Sequence, residues 1–193
     1  MKTVAIVQAR LGSTRLPDKV LKPVGGRPMI ALLLARLARC RELDQIVVAT
    51  ADDARNQPLA DQVAALGYAC FRGSEHDVLE RFVGAARMAQ ADAVVRITGD
   101  CPLMDPALVD EAVRRFRSSA VDYLSYVAPA TFPDGLDIEV FSSAALLRAS
   151  QETDRAFDRE HVTPYLRESG RFTQAVFTHD EDLSGLRWTV DEA

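Results

Sequence analysis

The sequence is poor in the features that mark secreted, membrane-spanning or nucleic-acid-binding proteins. Its 193 residues contain three cysteines, Cys40, Cys70 and Cys101, too few and too widely spaced to suggest a disulfide framework or a CxxC metal site. The apolar start is too short for a signal peptide, and no apolar run reaches the roughly 20 residues that span a bilayer. The net charge of −5 disfavours general binding to nucleic acids or anionic membranes. We therefore expect a cytoplasmic protein with reduced thiols.

Two common nucleotide-binding motifs are also missing. The sequence has neither the GxxxxGK[ST] spacing of a Walker A loop nor the GxGxxG of a Rossmann dinucleotide site. The remaining composition, 48% hydrophobic and 26% charged, is that of an ordinary globular chain. The length suits one domain with a sizeable core.

Short apolar runs rich in β-branched residues alternate with segments of helical spacing. Strands are predicted at 3–9, 45–50, 68–71, 92–98, 121–127, 137–141, 171–177 and 186–190. Two helices are predicted to begin at Met29 and, with Ser74 as N-cap, after Ser74. Four more are predicted near 56–66 and at 106–117, 143–152 and 157–168. This alternation predicts an α/β fold in which helices cover both faces of a mostly parallel, mixed sheet.

The loop after the first strand concentrates positive charge. Arg10, Arg15 and Lys19 fall within ten residues, beside Gly12 and Ser13. Glycine lets backbone N–H groups approach an anion, serine adds a donor, and arginine and lysine bind phosphate. Ligands of parallel sheets lie at the carboxyl ends of the strands, where this loop begins. The charges could instead form surface ion pairs, and the sequence leaves both interpretations open.

Acidic residues follow two other strands. Asp100 comes directly after the fourth strand, in a Gly-Asp-Cys-Pro turn, where it could bind Mg²⁺ or simply form the turn. Asp137 and Glu139 alternate and so share one face of their strand. They could hold a substrate hydroxyl, a metal or a proton, or lie on an exposed face. Arg72, Gly73 and Ser74 follow the third strand and are expected at the same sheet end, near a base or ribose, as is Thr98.

Residues 8–21 closely resemble the opening motif of the cytidylyltransferase family, which includes acylneuraminate and 3-deoxy-manno-octulosonate cytidylyltransferases. Further matches lie at 71–81, 96–103, 134–139, 159–165 and 186–191, and the nearest branch resembles the spore coat polysaccharide biosynthesis F-type proteins. The resemblance implies a nucleotide-diphospho-sugar transferase-like (Rossmann-like) fold. Residues 1–193 would form a single nucleotidyltransferase domain, with a nucleotide-binding half at about 1–118 and an acceptor-binding half at about 119–193. Asp18 stands where the family usually has glycine, and family members usually continue beyond the motif that ends at Asp191.

The resemblance also implies an activity, namely Mg²⁺-dependent transfer of CMP from CTP to a sugar, sugar acid or related acceptor in cell-surface polysaccharide or glycoconjugate synthesis. The pyrophosphate would be held by Arg10, Arg15, Lys19 and the loop at Leu11, Gly12 and Ser13. The metal would be bound by Asp100 and Asp191. Acceptor contacts are expected from Asp137, Glu139 and His161. The family is often dimeric, so a homodimer is expected.

Two other functions remain open at this point. A metal-dependent glycosyltransferase that uses a nucleotide-sugar would also need a carboxylate such as Asp100, although three cations in the first loop suit a triphosphate better. The second alternative is a non-catalytic nucleotide-binding protein. It is supported by Asp18, which stands where the family usually has glycine.

Overall fold

A computed structural model describes residues 1–13 and 15–192. The strands are β1 (Thr3–Gln8), β2 (Pro23–Val24), β3 (Arg27–Pro28), β4 (Gln45–Ala51), β5 (Ala69–Gly73), β6 (Ala93–Thr98), β7 (Tyr123–Ser125), β8 (Glu139–Ser142) and β9 (Gln174–Val176). The helices are α1 (Met29–Leu37), α2 (Gln57–Ala65), α3 (Val78–Ala89), α4 (Pro106–Ser119), α5 (Ser143–Glu152), α6 (Ala156–His161) and α7 (Pro164–Glu168). Among the described residues, no helix has the length and apolar character needed to cross a bilayer.

Seven strands form one mixed sheet in the order β5-β4-β1-β6-β8-β7-β9. Strands β5, β4, β1 and β6 run parallel, as the βαβ pattern predicts. Strand β8 then runs antiparallel to β6 and to β7, and β9 returns parallel to β7. The predicted mostly parallel, mixed sheet is therefore confirmed, and all four parallel strands present their carboxyl ends at one edge.

Helices cover both faces of this sheet, and the side chains of β1 point alternately towards the helices on each face. Ala5 and Val7 point into a core shared with α1, α2 and α4. Val4 and Ile6 point into a second core, shared with α3, α5 and α7. Because successive side chains of a strand face opposite sides, a central strand buried on both faces needs consecutive apolar residues, as Val4–Val7 of β1 are.

Three local predictions are wrong. The helix predicted at 157–168 is two helices, because Val162 leaves the helical region at φ 73° and Pro164, at the start of the second helix, has no N–H group with which to continue the first. The N-cap of α3 is Asp77, whose side chain accepts from the Glu80 N–H, while Ser74 Oγ accepts from the Asp77 N–H one turn earlier.

The third error concerns the strand predicted at 186–190. This segment makes one isolated bridge, between Asp134 and Arg187. Its backbone bonds instead to a turn, since the Asp134 N–H donates to the Leu186 carbonyl and the Trp188 N–H to the Asp134 carbonyl. A turn offers no continuous ladder, so the segment crosses the sheet edge as an extended loop.

Candidate active site

The positively charged loop leaves β1 at the carboxyl edge of the sheet. Its distal part closes with a 3-10 turn at Lys19–Leu21, which buries Val20. Asp18 precedes this turn in the left-handed region, at φ 56° and ψ 22°, without a side-chain cap. A left-handed residue is most often glycine, because it lacks the Cβ atom that crowds the backbone there. This geometry explains why the cytidylyltransferase motif usually has glycine where this chain has Asp18.

A buried amide anchors the start of the loop. Asn56 is 1% exposed, and its Oδ1 accepts from the Leu11 N–H at 2.9 Å. Its Nδ2 donates to the Asp53 carboxylate, which fixes the orientation of the amide. Leu11 is itself buried, so it helps to position the loop. It does not line the cavity that the loop borders. Sequence analysis did not identify Asn56; the Asp-x-x-Asn spacing before α2 was the available signal.

The loop forms one wall of a first cavity of about 370 Å³. Eight residues singled out from the sequence line it: Arg10, Gly12, Ser13, Arg15, Lys19, Thr98, Asp100 and His161. Strand register explains part of this convergence, since Gln8 at the end of β1 pairs with Thr98 at the end of β6. Helices α3 and α6 supply the opposite side through Val78, Arg81, Glu160 and His161.

Lys19 lies between two carboxylates at the edge of this cavity. Its Nζ donates to Asp100 Oδ2 at 2.9 Å and to Asp191 Oδ1 at 2.8 Å. Burial by itself lowers the pKa of Lys19, but the hydrogen bonds and charges of Asp191 and Asp100 raise it overall. The Lys19 ammonium group therefore stays charged and neutralises part of the paired carboxylates.

Asp191 is held in place although it is two residues from the C-terminus of the chain. The Val190 N–H donates to the Asp100 carbonyl at 2.9 Å, which ties the terminal segment to the turn after β6. Arg187 hydrogen-bonds the second Asp191 oxygen, and Arg15 lies 3.4 Å from the first. Lys19 is the main cause of the lowered pKa of Asp191, and Arg187 and Arg15 lower it further. Burial acts in the opposite direction.

The two carboxylates fit a divalent metal that also binds a ligand. Oxygens of Asp100 and Asp191 already contact one cationic centre, the Lys19 nitrogen. No group of three or more His, Cys, Asp or Glu side chains suited to a metal occurs within residues 1–13 and 15–192. Mg²⁺ typically takes one or two protein carboxylates and completes its shell with water and phosphate oxygens, so two carboxylates suffice.

A second cavity, of about 430 Å³, adjoins the first and shares Thr98 and His161 with it. Asp137 and Glu139 both line it, although only Glu139 lies in a strand and Asp137 precedes it. The His161 ring packs against Phe157, with centroids 4.5 Å apart. The residues expected to contact an acceptor therefore meet in one place, beside the cavity that contains Asp100.

The two acids of the second cavity differ in their surroundings. Glu139 is 2% exposed and pairs with Arg96, its neighbour in the β6–β8 register, and accepts a hydrogen bond from the Tyr123 hydroxyl. Asp137 precedes β8 and accepts only a long, 3.4 Å bond from the Gly135 N–H. Burial raises the pKa of Asp137. Glu139 is thus neutralised within the protein, whereas Asp137 is an acid without a close cation among the described residues.

The end of β5 and the residue that follows it do not line the first cavity. Arg72 donates to the Asp53 carbonyl at 2.8 Å and pairs with Asp52 and Gln57, and neither it nor Gly73 nor Ser74 lines the cavity. Their contact with a base or ribose stays a prediction. Arg81, one turn into α3, lines the cavity instead. A lone arginine in a helix gives no sequence signal that separates an exposed charge from a pocket residue.

Comparison with known proteins identifies the group of enzymes that this site resembles. The cytidylyltransferase family model matches residues 4–189. The spore coat polysaccharide biosynthesis protein SpsF of Bacillus subtilis is 36% identical over 168 residues, 84% of this chain and 68% of that protein.

Solved structures agree with this match. A cytidylyltransferase from Leptospira borgpetersenii superposes with a TM-score of 0.95 at 32% identity, over 99% of this chain and 82% of that one. A CMP:2-keto-3-deoxy-manno-octonic acid synthetase complexed with CTP has a TM-score of 0.76 at 20% identity, over 100% of this chain and 94% of that one, and shares the fold.

Proposed function

Because this chain belongs to the cytidylyltransferase family, we propose that it transfers CMP from CTP to a hydroxyl group of a sugar, sugar acid or related acceptor, with release of pyrophosphate. One observation carries the proposal. Two cavities meet at Thr98 and His161, next to the carboxylate of Asp100. One can hold a nucleotide and the other an acceptor, so that the attacking oxygen and the α-phosphorus come together.

In this proposal the first cavity binds CTP. Arg10, Arg15 and Lys19 hold the phosphates, and N–H groups near Gly12 and Ser13 add donors. As the bond between the α- and β-phosphates breaks, negative charge grows on the departing pyrophosphate. Cations already in position stabilise that charge without reorganisation, so the chain acts mainly by positioning and electrostatics.

We further propose that Asp100 and Asp191 hold Mg²⁺. Bound there, the ion would offset charge on the phosphate oxygens during transfer. The support is the convergence of both carboxylates on a single cation, Lys19. Binding of the ion would require Lys19 to release carboxylate oxygens, and a phosphate group of CTP is the natural new partner for its ammonium group.

The second cavity is proposed to bind the acceptor. Thr98 and His161 stand at the boundary, and Asp137 offers a hydrogen-bond acceptor to a substrate hydroxyl. The likeness to SpsF supports an acceptor used in cell-surface polysaccharide synthesis. We also propose a cytoplasmic homodimer, in keeping with three free cysteines and with the exposed Trp188 and Leu186. Sedimentation analysis would test the dimer.

The decisive experiment measures pyrophosphate release with CTP, Mg²⁺ and a panel of sugars and sugar acids. Turnover should need CTP and fall roughly 100-fold or more in Asp100→Asn, because the proposed Mg²⁺ would lose a carboxylate ligand and with it the charge that offsets the phosphate oxygens. Asp180→Asn changes an exposed acid that lines neither cavity and is the matched control. Thermal protection by nucleotide-sugars but not by CTP would instead identify a glycosyltransferase. CTP binding that survives Asp100→Asn without any turnover would identify a non-catalytic protein.

A further inference from the structure

Arg81 is a buried cation in the wall of the first cavity. It lies on α3, is 3% exposed, and lines the cavity together with Val78 and Arg10. Its aliphatic part packs against Gly73, since a Cβ atom added to Gly73 would lie 3.3 Å from Arg81 Cγ. The side chain is therefore enclosed by protein in the wall of this cavity.

The guanidinium group is poorly satisfied by the protein. Nη1 donates to the Ser74 carbonyl at 2.8 Å, but the buried Nε has no hydrogen-bond partner. Over residues 1–13 and 15–192, no carboxylate oxygen lies within 4.0 Å of an Arg81 nitrogen, whereas the buried Glu139 pairs with Arg96. A buried charged donor without an acceptor is unfavourable, and a bound ligand is one physical explanation for its presence.

The charges around Arg81 do not balance. Burial lowers the pKa of Arg81 to about 10, the charge of Arg10 lowers it as well, and Glu75 opposes them. The group therefore remains a cation at neutral pH. Glu75 is already engaged by Arg10, at 3.5 Å, and both of these side chains are partly exposed. Two positive charges thus share one negative charge beside the cavity.

We propose that Arg81 is a further nucleotide-binding residue, whose buried guanidinium group binds a phosphate oxygen of the triphosphate. A phosphate supplies the missing negative charge, and its oxygens match the planar donors of arginine. Distance from bulk water makes the attraction stronger than that of an exposed residue such as Arg15. This inference rests on the proposed function, since it assigns a ligand group within the proposed CTP site.

The test compares Arg81→Met with Arg87→Met, which removes an exposed arginine of the same helix. Calorimetry should show CTP binding weakened about 10- to 100-fold by Arg81→Met and unchanged by Arg87→Met. Thermal protection by inorganic pyrophosphate should fall in parallel, while protection by cytidine should persist. Arg81→Lys keeps the charge but not the paired donors, and should weaken pyrophosphate binding about threefold or more even if Arg81→Met does not fold.

The outcomes separate this inference from the function on which it rests. If the wild-type protein does not bind CTP, the proposed function fails. If the wild type binds CTP and pyrophosphate and the folded Arg81 variants bind both equally well, only the role of Arg81 is overturned. A loss of cytidine protection with pyrophosphate protection intact would assign Arg81 to the nucleoside and refute the phosphate contact.

Discussion

Replacing Asp18 by glycine should stabilise the protein, and replacing it by alanine should destabilise it. Asp18 adopts φ 56° and is exposed, and its side chain does not cap the following turn. Among the described residues, its hydrogen bonds come from the backbone, which donates to the Leu11 carbonyl at 3.3 Å and accepts from the Leu21 N–H at 2.9 Å. Both contacts survive replacement by glycine or alanine, so the backbone conformation decides the outcome.

The size of the effect follows from two opposing contributions. A residue with a Cβ atom loses about 1–2 kcal/mol in the left-handed region. Glycine avoids that loss but sacrifices about 0.5–1 kcal/mol of additional chain entropy on folding. The glycine variant should therefore exceed the alanine variant by about 1 kcal/mol. Aspartate tolerates this region better than alanine, so wild-type Asp18 should fall between them.

Equilibrium unfolding in urea measures these differences, provided that the slope with denaturant is unchanged. Asp18→Asn is the matched control, because it keeps the tolerance for left-handed backbone and removes only the charge. It should match the wild type in stability. An alanine variant as stable as the glycine variant would refute the argument from backbone conformation.

Two predictions concern the acids of the second cavity. Glu139→Gln should lower the free energy of unfolding by about 3 kcal/mol, because it leaves the largely buried Arg96 without its counter-charge. The control Glu111→Gln removes an acid from exposed ion pairs and should leave the free energy of unfolding nearly unchanged. Equal losses of stability in the two variants would contradict the reasoning. Asp137→Asn should be more stable than the wild type at pH 7, because burial raises the pKa of Asp137 and the ionised form is disfavoured in the folded state. This gain should disappear below about pH 4, where the carboxyl is protonated in both states, so a gain independent of pH would disprove it.

The sequence predicts the parallel half of the sheet and much of the first cavity. Apolar runs with β-branched residues locate β1, β4 and β6, and the carboxyl ends of parallel strands meet at one edge. That rule alone brings the loop with Arg10 and Lys19 close to Asp100. The inference needs only local patterns and the handedness of βαβ units.

The remainder depends on contacts between distant segments that no local pattern encodes. Asp191 meets Lys19 across 172 positions, and from sequence Asp191 was expected in the site only through the resemblance to cytidylyltransferases. The segment 186–190 alternates like a strand but finds only a turn to pair with. Arg81 has the local pattern of an exposed helical charge, yet the loop after β5 folds over it. In each case the tertiary surroundings decide, as they commonly do for short segments.

The reversal of direction at β8 divides the sheet into two parts that can change separately. Strand β6 bonds in parallel to β1 on one side and antiparallel to β8 on the other, so it borders both cavities, while the loop after β1 lines the first and Glu139 of β8 lines the second. Substitutions in β7, β8 and the segment between them can reshape the second cavity without altering the register of the first. Such an arrangement would let related proteins keep the same donor nucleotide while they differ in the acceptor that they modify.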